Sequence, residues 1–532
     1  PGWDVKTGEF EDVRIFKSPV ELLADTREYW TKALSQSMKV ELPDKLLNNL
    51  IIASQAHCMI AARNEKEGLY VSPWISSDRY GPLESEAQAV INGMSFMGHE
   101  EFARRSLDFF INRYNQDGLL TTGYTLWGIG WHFWTLGNYY QIHHNSEWLR
   151  SVAPKLKKGS DWIVNQLDKT KQPAPSGKIL PEYGLFPPGV FADWNRFAYM
   201  VRPQGEFYAG LNAISKSLAD IRYPGGNDLI DKAEKFKENL FRAYHWSQAC
   251  SPVLKLSNGT WIPYSPAVIG SFGSVADMFP GEDGDRAWGK DVSAGPHHLV
   301  PLGLLNQNDS REINWIANDL EDNWFLRAGM GEYSLEEVQK DWFDLGGFYK
   351  VQPYYARITE LYACNDDVKP FIRSYFNAIP TLISRENLTF WEHFHNTGGW
   401  NKTHETGWFL TQTRIMLVME RDKDELWLAP FVTSHWMEDG MVVGVKQAPT
   451  AFGEVSYKIS SHVSNGYIDA EITPPVRKKP DSIVIRLRHP QEKKFKSVTV
   501  NGKDYRNFDA EKETVRIQGV DGDKITVRAM FD

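Results

Sequence analysis

The sequence predicts a mainly helical fold, an (α/α)6 toroid over residues 1–425, followed by a small all-β domain over residues 426–532. Two observations predict this fold. Apolar residues recur at helical spacing through residues 18–421, where charged amphipathic helices alternate with helices that are apolar nearly all round. From about residue 426, short runs rich in β-branched residues and bounded by Asn-Gly, Pro and Asp turns replace the helical pattern.

The predicted helices begin at capping residues or at Pro and Gly signals. Taking the first helix as a lead-in leaves twelve, which pair as six hairpins. Segment 99–115 is amphipathic, as expected of an outer helix, whereas segment 123–142 has the apolar character expected of an inner helix. The predicted helices lie near 18–37, 43–64, 83–97, 99–115, 123–142, 147–168, 203–221, 227–244, 293–305, 309–320, 347–363, 367–384 and 404–421. The strand-length runs lie at 441–445, 455–459, 466–472, 482–488 and 497–502.

Charge and cysteine usage exclude several classes of protein. The net charge is -9 and no basic block is present, so a nucleic-acid partner is not expected. No run of about 18 uninterrupted apolar residues occurs, so no membrane span is predicted. Cys58, Cys250 and Cys364 lie far apart without metal-ligand spacing, which argues against structural zinc. We expect three buried apolar thiols, with a disulfide between one pair as the alternative.

Aromatic residues are abundant, with 20 Trp, 22 Tyr and 28 Phe. Many stand beside Gly, Pro, Asp or His, as in residues 127–134. Sugar rings pack their C–H faces on aromatic rings, and sugar hydroxyls need short polar groups nearby. A large core accounts for most of these residues, but the clusters that stand beside acidic residues favour carbohydrate binding.

Five long loops precede, or nearly precede, the aromatic-rich helices, so we expect them to gather at one mouth of the ring. Glycoside hydrolysis needs one carboxylic acid to protonate the leaving oxygen and a second carboxylate to activate water or attack the sugar. The candidate catalytic acids are therefore loop acids that stand among aromatic residues. The long loops are 64–82, 171–202, 246–292, 321–346 and 385–403.

Asp193 is the candidate general acid. It lies between Phe191 and Trp194 in a segment that is otherwise almost entirely apolar. Partial desolvation in such surroundings favours the protonated carboxyl that a general acid requires. The alternatives are that Asp193 caps the following helix, or that Glu182 in the same segment is the acid.

Glu392 is the candidate general base. It stands among Trp391, His393 and Phe394 in the loop before the last predicted inner helix. An ionised carboxylate held by polar neighbours can accept a proton from water. The alternative is a structural carboxylate paired with a histidine.

A third segment combines Asp78 and Arg79 with the aromatic residues Trp74 and Tyr80. An Asp-Arg pair beside aromatic rings can hold sugar hydroxyls through charge-assisted hydrogen bonds. The alternative is a salt bridge that serves only the loop.

Further residues in or beside the loops are candidate sugar ligands. Glu206, Glu332 and Glu405 each stand near a helix start, where the helix dipole also favours a carboxylate. The acidic run 282–285 has ligands suited to calcium, but acids in a turn are more often solvated, so no metal is predicted. The remaining candidates are Trp127, Trp131, His132, Tyr183, Trp194, Arg202, Trp391, His393 and Trp408.

The order of these segments resembles the six-hairpin glycosidase superfamily, which includes glucoamylases, trehalases, the amylo-α-1,6-glucosidase part of glycogen-debranching enzymes and α-L-rhamnosidases. The resemblance covers residues 45–421, and the trailing β domain is similar to that of the rhamnosidase-like members. These families carry an aromatic-Asp/Arg segment at the start of the first inner helix. Debranching enzymes carry a Trp-Met-Asp-Ala segment before a middle inner helix, which this chain matches in part, and glucoamylase- and trehalase-like members carry a Glu-aromatic loop before the last inner helix. The matching residues here are Trp74, Asp78 and Arg79, then Phe191-Ala192-Asp193-Trp194 followed by Arg202, Gly205, Glu206 and Asn212, then Trp391-Glu392-His393-Phe394.

The resemblance implies an inverting glycoside hydrolase that acts on a carbohydrate substrate without a cofactor. Asp193 would protonate the leaving oxygen while Glu392 takes a proton from water. Long loops at one mouth usually form a pocket, so we expect exo-action on a terminal sugar of an oligo- or polysaccharide. Such an activity suggests a periplasmic or extracellular protein, although no signal peptide precedes Pro1, which we interpret as a removed leader or a start within a longer chain.

Two other interpretations remain open at this point. A polysaccharide lyase on an (α/α) toroid would use Tyr183, His393 and Arg202 to remove a proton beside a uronate carboxyl, and an unsaturated-uronide hydrolase is a close variant. A carbohydrate-binding protein that has lost its catalytic acids is the interpretation without enzymatic activity.

Overall fold

In a computed structural model of the chain, the described residues form two compact units, Pro1–Ser37 and Met38–Asp532. The first contains α1 (Pro19–Ala33), which begins at a capping box formed by Ser18 and Glu21 and at Pro19. This helix is the predicted lead-in. The described residues are 17–120, 128–191, 194–278, 291–325, 352–393, 398–421, 424–519 and 522–532.

The second unit begins with helices that pair as hairpins. None of the helices in the described ranges combines the length and apolar character needed to cross a bilayer. The helices are α2 (Lys45–Ala61), α3 (Ala87–Phe96), α4 (Glu100–Ile111), α5 (Gly128–His143), α6 (Ser146–Lys169), α7 (Val201–Asp220), α8 (Gly226–Cys250), α9 (Ser310–Asp319), α10 (Ile358–Asn365), α11 (Val368–Leu382) and α12 (Thr403–Leu417). Shorter helical segments are the single turn Val275–Met278, the 3₁₀ turns Pro296–Leu299, Gln307–Asp309, Ser434–Met437 and Val463–Asn465, and the π-helical turn Leu320–Trp324.

Burial separates the helices into two rings. Helices α3, α5, α7, α10 and α12 are buried on nearly all sides, whereas α2, α4, α6, α8, α9 and α11 bury one face. Along the inner ring α3 contacts α5, α5 contacts α7, and α7 contacts the turn Pro296–Leu299. That turn contacts α10, α10 contacts α12, and α12 returns to α3. The ring is therefore closed, and the predicted (α/α)6 toroid is confirmed.

Glycines allow the inner helices to approach closely. A Cβ on Gly407 of α12 would lie 2.4 Å from the carbonyl oxygen of Ala89 in α3, and a Cβ on Gly93 of α3 would lie 2.4 Å from the carbonyl oxygen of Gly407. Between α5 and α7, a Cβ on Gly210 would lie 2.1 Å from the carbonyl oxygen of Gly130. Only a residue without a side chain fits where two backbones meet in this way.

The predicted helix at 293–305 is wrong, because only the 3₁₀ turn Pro296–Leu299 forms there. Pro301 lacks the N–H that a continuing helix would use and restricts the residue before it. Gly303 then adopts a φ of +77°. The predicted helix at 347–363 begins only at Ile358 within the described residues, since Arg357 lies in the left-handed region with a φ of +57°.

The C-terminal strands form two sheets, which confirms the small all-β domain. The larger sheet has the order β1-β11-β12-β13-β19-β15-β16, and the smaller has the order β17-β18-β14-β10-β9, in which β10 and β14 run parallel. Buried and exposed residues alternate along β12, as expected of a strand with one face on the core. The strands of these two sheets are β1 (Lys39–Glu41), β9 (Val418–Arg421), β10 (Glu425–Leu428), β11 (Val442–Ala448), β12 (Val455–His462), β13 (Tyr467–Thr473), β14 (Ser482–Arg486), β15 (Phe495–Val500), β16 (Lys503–Tyr505), β17 (Phe508–Asp509), β18 (Thr514–Ile517) and β19 (Ile525–Phe531).

Three small sheets lie in the connections between the helices. The hairpin β2–β3 precedes α3, β5 pairs with β4 on one side and with β8 on the other, and the hairpin β6–β7 follows α8. Their bounds are β2 (Arg63–Glu65), β3 (Tyr70–Ser72), β4 (Gly189–Phe191), β5 (Trp194–Met200), β6 (Val253–Lys255), β7 (Trp261–Pro263) and β8 (Val268–Ile269). Because β1 and β9 precede residue 426 yet join the C-terminal sheets, the division at residues 425 and 426 stays a prediction.

The cysteines only partly match the expected set of three buried thiols. All three are free. Cys58 is buried in α2 and burial raises the pKa of its thiol, whereas Cys364 is partly buried. The prediction is wrong for Cys250, which ends α8 and is exposed because the last turn of this outer helix faces away from the core.

Replacing Gly407 with alanine is expected to lower the free energy of unfolding by about 1–3 kcal/mol, because overpacking in a closed core has costs of that size. Gly444→Ala is the matched control, since the nearest atom to its added Cβ would lie 3.5 Å away in ordinary contact. Urea denaturation followed by tryptophan fluorescence measures both variants. An unchanged unfolding midpoint for Gly407→Ala would contradict backbone contact between α3 and α12.

Candidate active site

Hydrogen bonds connect the loop before α3 to the loop before α12. The Thr403 N–H donates to the Ile75 carbonyl (2.9 Å), and the Thr403 hydroxyl donates to the Trp74 carbonyl (2.6 Å). The Ser76 hydroxyl donates to the Trp400 carbonyl (2.8 Å). Two of the predicted site segments, 74–80 and 391–393, are thereby brought to one place.

Asp78 is held within this pair of loops. Its carboxylate accepts hydrogen bonds from the Ser76 hydroxyl (2.5 Å), the Arg79 guanidinium (3.1 Å) and the Trp400 N–H (3.2 Å). Burial raises the pKa of Asp78, but Ser76 and Arg79 outweigh that effect and hold the pKa below its usual range. The Asp78 carboxylate is therefore ionised. It forms an ion pair with half-exposed Arg79 within the loop. Contact of Asp78 and Arg79 with a sugar stays a prediction.

Glu392 lies in a nearly closed environment and is 7% exposed. One carboxylate oxygen accepts the Gly399 N–H (2.7 Å), and the other accepts the Lys402 ammonium group (2.9 Å). Burial raises the pKa of Glu392. This effect is outweighed by the positive charge of Lys402, then by that of His393, and by the two hydrogen bonds, all of which lower the pKa. The pKa lies below its ordinary value of 4.5, so the carboxylate is ionised at neutral pH.

Gly398 and Gly399 shape the wall of the Glu392 site. A Cβ on Gly398, whose φ is +79°, would lie 2.7 Å from the Glu392 Cβ and 2.8 Å from its Oε2. A Cβ on Gly399 would lie 3.2 Å from the Ser76 hydroxyl. These two glycines let the backbone approach closely enough for the Gly399 N–H to reach the carboxylate.

Lys402 and Glu86 belong to the same cluster, although the sequence analysis did not select them. Lys402 precedes α12 and its ammonium group lies 3.6 Å from the Glu86 carboxylate at the start of α3. The ring of Tyr80 lies 4.1 Å from the same nitrogen. Burial lowers the pKa of Lys402, but Glu86 and Glu392 outweigh it and raise the pKa above its ordinary value. The sequence offers no signal for Lys402, because a lysine beside a helix start is an ordinary surface feature.

His404 and Glu405 are fully buried at the beginning of α12. The His404 Nε2 lies 3.0 Å from a Glu405 oxygen, and burial holds the pKa of His404 well below its usual range. Burial also holds the pKa of Glu405 well above its usual range, even though it accepts the N–H groups of Tyr354 and Tyr355. The other charged groups of the cluster are Glu86, Lys402 and Glu392.

The ring centre is filled by aromatic rings and a buried ion pair. Arg202 donates to Glu206 (2.8 Å), and its guanidinium lies 5.2 Å from the Trp131 ring and 4.7 Å from the Tyr355 ring. Trp131 stacks on Trp408 at 5.8 Å. All five side chains are buried. The roles predicted for Arg202, Glu206, Trp131 and Trp408 as sugar ligands stay predictions, and packing is what the described contacts provide.

His132 joins α5 to its neighbours. Its Nδ1 lies 3.3 Å from the Gln88 side-chain oxygen of α3, and its ring packs edge-on against Tyr114. Burial lowers the pKa of His132 to about 3, so the ring is neutral. These contacts belong to the core, and sugar binding by His132 stays a prediction.

Of the two candidate general acids, Glu182 lies among the described residues, in the segment before β4. Phe191 pairs with Trp194 in this hairpin. Burial, and then the negative charge of nearby Glu182, raises the pKa of Tyr199 in β5. The carbonyl of Tyr183 accepts a hydrogen bond from Arg242 of α8 (2.6 Å). The choice between Asp193 and Glu182 as the acid therefore stays a prediction.

Several predicted positions lie outside the described residues. They are Trp127, Asp193 and Glu332, the acidic run 282–285 and the side chain of Trp194. Trp391 and His393 are half-buried beside Glu392.

Comparisons with known proteins show the fold. No protein-family model and no curated protein sequence match the chain. The α-L-rhamnosidase from Dictyoglumus thermophilum has a similar structure, with a TM-score of 0.53, 11% sequence identity and coverage of 93% of this chain and 50% of that chain. The Streptomyces avermitilis α-L-rhamnosidase complexed with L-rhamnose gives a TM-score of 0.52, 11% identity and coverage of 93% and 42%. The chain thus spans about half, or less, of the length of these proteins, and its resemblance to six-hairpin glycosidases is confirmed for the fold.

Replacing Gly398 with alanine is expected to lower the free energy of unfolding by about 1–3 kcal/mol more than Gly440→Ala. Both glycines have nearly the same positive φ, +79° and +77°, so both variants carry the backbone cost, but nothing lies within 4 Å of an added Cβ at Gly440. Urea denaturation of the two variants gives the difference. Equal losses would show that Glu392 is not confined by Gly398.

Proposed function

We propose that the chain is an exo-acting, inverting glycoside hydrolase that removes a terminal sugar from an oligo- or polysaccharide. The observation that carries this proposal is Glu392, an ionised carboxylate in a nearly closed site at the junction of two loops. The fold shared with two α-L-rhamnosidases supports the same class of reaction. The identity of the sugar is left to experiment.

In this proposal Glu392 is the general base. A carboxylate with a lowered pKa is ready to accept a proton at neutral pH, and its two hydrogen-bond donors fix its orientation. Each carboxylate oxygen can accept a further hydrogen bond, which gives an attacking water a place to bind. As this water attacks the anomeric carbon, its proton passes to Glu392.

Asp193 is the proposed general acid, with Glu182 as the alternative. The acid donates its proton to the glycosidic oxygen as the bond to the anomeric carbon breaks, so the leaving sugar departs as an alcohol. Inverting chemistry requires a gap of about 6.5–9.5 Å between the two carboxyl groups, to hold the sugar and the water.

Aromatic rings at the loop junction offer surfaces for the sugar. Tyr80 is 42% exposed and Trp400 is 36% exposed, and both belong to the hydrogen-bonded loops that hold Glu392. The Asp78–Arg79 pair adds charged hydrogen-bonding groups beside them.

The lyase alternative receives less support. It needs Arg202 to neutralise a uronate carboxyl, but Arg202 is fully buried and its guanidinium is engaged with Glu206 and with the Ser293 carbonyl (3.0 Å). A uronate would have to displace a buried carboxylate to reach it.

A panel of aryl glycosides of glucose, rhamnose, arabinose, fucose and uronic acids tests the proposed activity. We expect one of these to be hydrolysed, and proton NMR of the first-formed sugar should show the anomer opposite to that of the substrate. Retention of configuration would contradict the inverting mechanism. A rise in ultraviolet absorbance on cleavage of a uronate polymer would instead favour a lyase.

Glu392→Gln is expected to lower kcat/KM by about 10²–10⁴-fold, because it removes the proton acceptor while preserving the size of the side chain. Asp193→Asn should abolish turnover as well, and calorimetric sugar binding should survive in both variants. Glu386→Gln, an exposed change in the same loop, is the control. Full activity of both site variants would refute the assignment, and sugar binding by a wild type without turnover would favour a binding protein.

A further inference from the structure

We propose that Lys402 is a positioning residue for Glu392: its buried ammonium group fixes one carboxylate oxygen and keeps the carboxylate ionised, while Glu86 keeps Lys402 itself charged. This inference rests on the proposed function, because it assigns Glu392 the role of general base.

The first step concerns the burial of the lysine. Lys402 is 1% exposed, and an isolated ammonium group so far from water would lose its proton. Two carboxylates prevent this loss: Glu392 in the same loop at 2.9 Å and Glu86 at the start of α3 at 3.6 Å. The Tyr80 ring face at 4.1 Å adds a cation–π contact.

The second step concerns the direction of the carboxylate. Lys402 binds one oxygen of Glu392 and the Gly399 N–H binds the other, so two donors from different parts of the loop fix its plane. The side chain still has 10% of its surface exposed. A water can therefore reach a carboxylate whose orientation is already set.

The third step explains why the site contains two carboxylates and one lysine. When Glu392 takes a proton during turnover, Lys402 loses one of its two negative partners. Glu86 remains ionised beside Lys402 and stabilises its charge, so Lys402 does not give up its own proton in exchange. Lys402 thus stays a cation through the cycle and lowers the proton affinity of Glu392 again when the product leaves.

Other charged groups act on Glu392 from the elements around it. His393 is adjacent in the same loop, and Arg79 and Tyr80 face it from the loop before α3. Glu405 and the neutral His404 lie at the start of α12. Lys402 differs from these groups because its ammonium group donates a hydrogen bond to Glu392 (2.9 Å).

The pH profile of kcat/KM tests the role of Lys402. Lys402→Met should move the acidic limb upward by about one pH unit or more, because Glu392 loses the cation that favours its ionised form. At neutral pH the decrease in kcat/KM of Lys402→Met should be smaller than the decrease of about 10²–10⁴-fold expected for Glu392→Gln. Lys402→Arg should restore the wild-type limb. A uniform loss at every pH, with no displacement of the limb, would overturn the proposal.

Glu86→Gln provides a second variant with the opposite sign. At the acidic pH of this limb Lys402 remains protonated even without Glu86, because the pKa of a buried lysine falls only to about 5–6. Removing a negative charge from the cluster should therefore make protonation of Glu392 less favourable and move the acidic limb downward. Damage to the fold cannot move the limb in opposite directions in the two variants. A shift in the same direction for Glu86→Gln and Lys402→Met would refute the charge arrangement.

The pH dependence of stability tests the ion pair without any substrate. The folded pKa of Glu392 lies below its ordinary value of 4.5, so its stabilising effect is present above pH 4.5 and is lost as the pH falls through the folded pKa. Urea denaturation at a series of pH values should show this acid-side loss in the wild type and a smaller one in Lys402→Met. Lys235→Met, which breaks an exposed pair with Glu238 at 2.6 Å, is the control and should leave the loss unchanged.

These readouts separate the two proposals. If the wild type hydrolyses no sugar, the proposed function fails, and the stability measurement alone decides whether Lys402 holds Glu392 ionised. The other outcome is an active wild type together with a Lys402→Met variant that shows the same loss of stability at acidic pH and the same acidic limb of the kcat/KM profile. In that case the role of Lys402 is refuted and the hydrolase proposal stands.

Discussion

Closure of the inner ring between α3 and α12 is the constraint on which the candidate site depends. Gly93 and Gly407 bring the two backbones into contact, so the loops that precede these helices run together at one end of the ring. The hydrogen bond from Ser76 to Trp400 then joins residues 324 positions apart in the sequence. Without this closure, Lys402 beside Glu392 would lose its contacts with Tyr80 and Glu86 from the segment before α3.

The same closure requires charged groups to be buried as a set. Glu86 arrives with α3, Lys402 with α12 and Glu392 with the loop between α11 and α12. Each charge would be costly alone, because few waters are available to solvate it. Together the three groups compensate one another and leave one net negative charge at the loop junction. Removing Lys402 leaves two uncompensated carboxylates, so stability and proton affinity are coupled in this cluster.

The sequence predicted the helical ring and the loops that carry the candidate site, but it did not predict which side chains contact one another there. Helical spacing predicted six hairpins, and loop length together with aromatic neighbours singled out Asp78 and Glu392. The prediction of a helix at residues 293–305 failed, because proline and glycine in this segment outweigh the helical spacing of its apolar residues. Lys402 and Glu86 could not be predicted, because a lysine and a glutamate at helix starts are ordinary surface features until ring closure brings them within 3.6 Å.

The abundance of aromatic residues has two physical causes in this fold. A ring of closely packed helices leaves a central space, and flat rings and a guanidinium fill it, as Trp131, Trp408 and Arg202 do. The buried aromatic residues of the inner helices stand next to glycines, because glycines permit the close approach of the helices. In the sequence, their surroundings therefore resemble those of aromatic residues in a binding loop. Exposure distinguishes Tyr80 and Trp400, whose side chains are partly exposed where the loops meet. Exposed aromatic side chains that could pack against a sugar therefore lie on the loops that closure assembles, while the sugar-binding roles predicted for Trp131, Trp408 and Arg202 stay predictions.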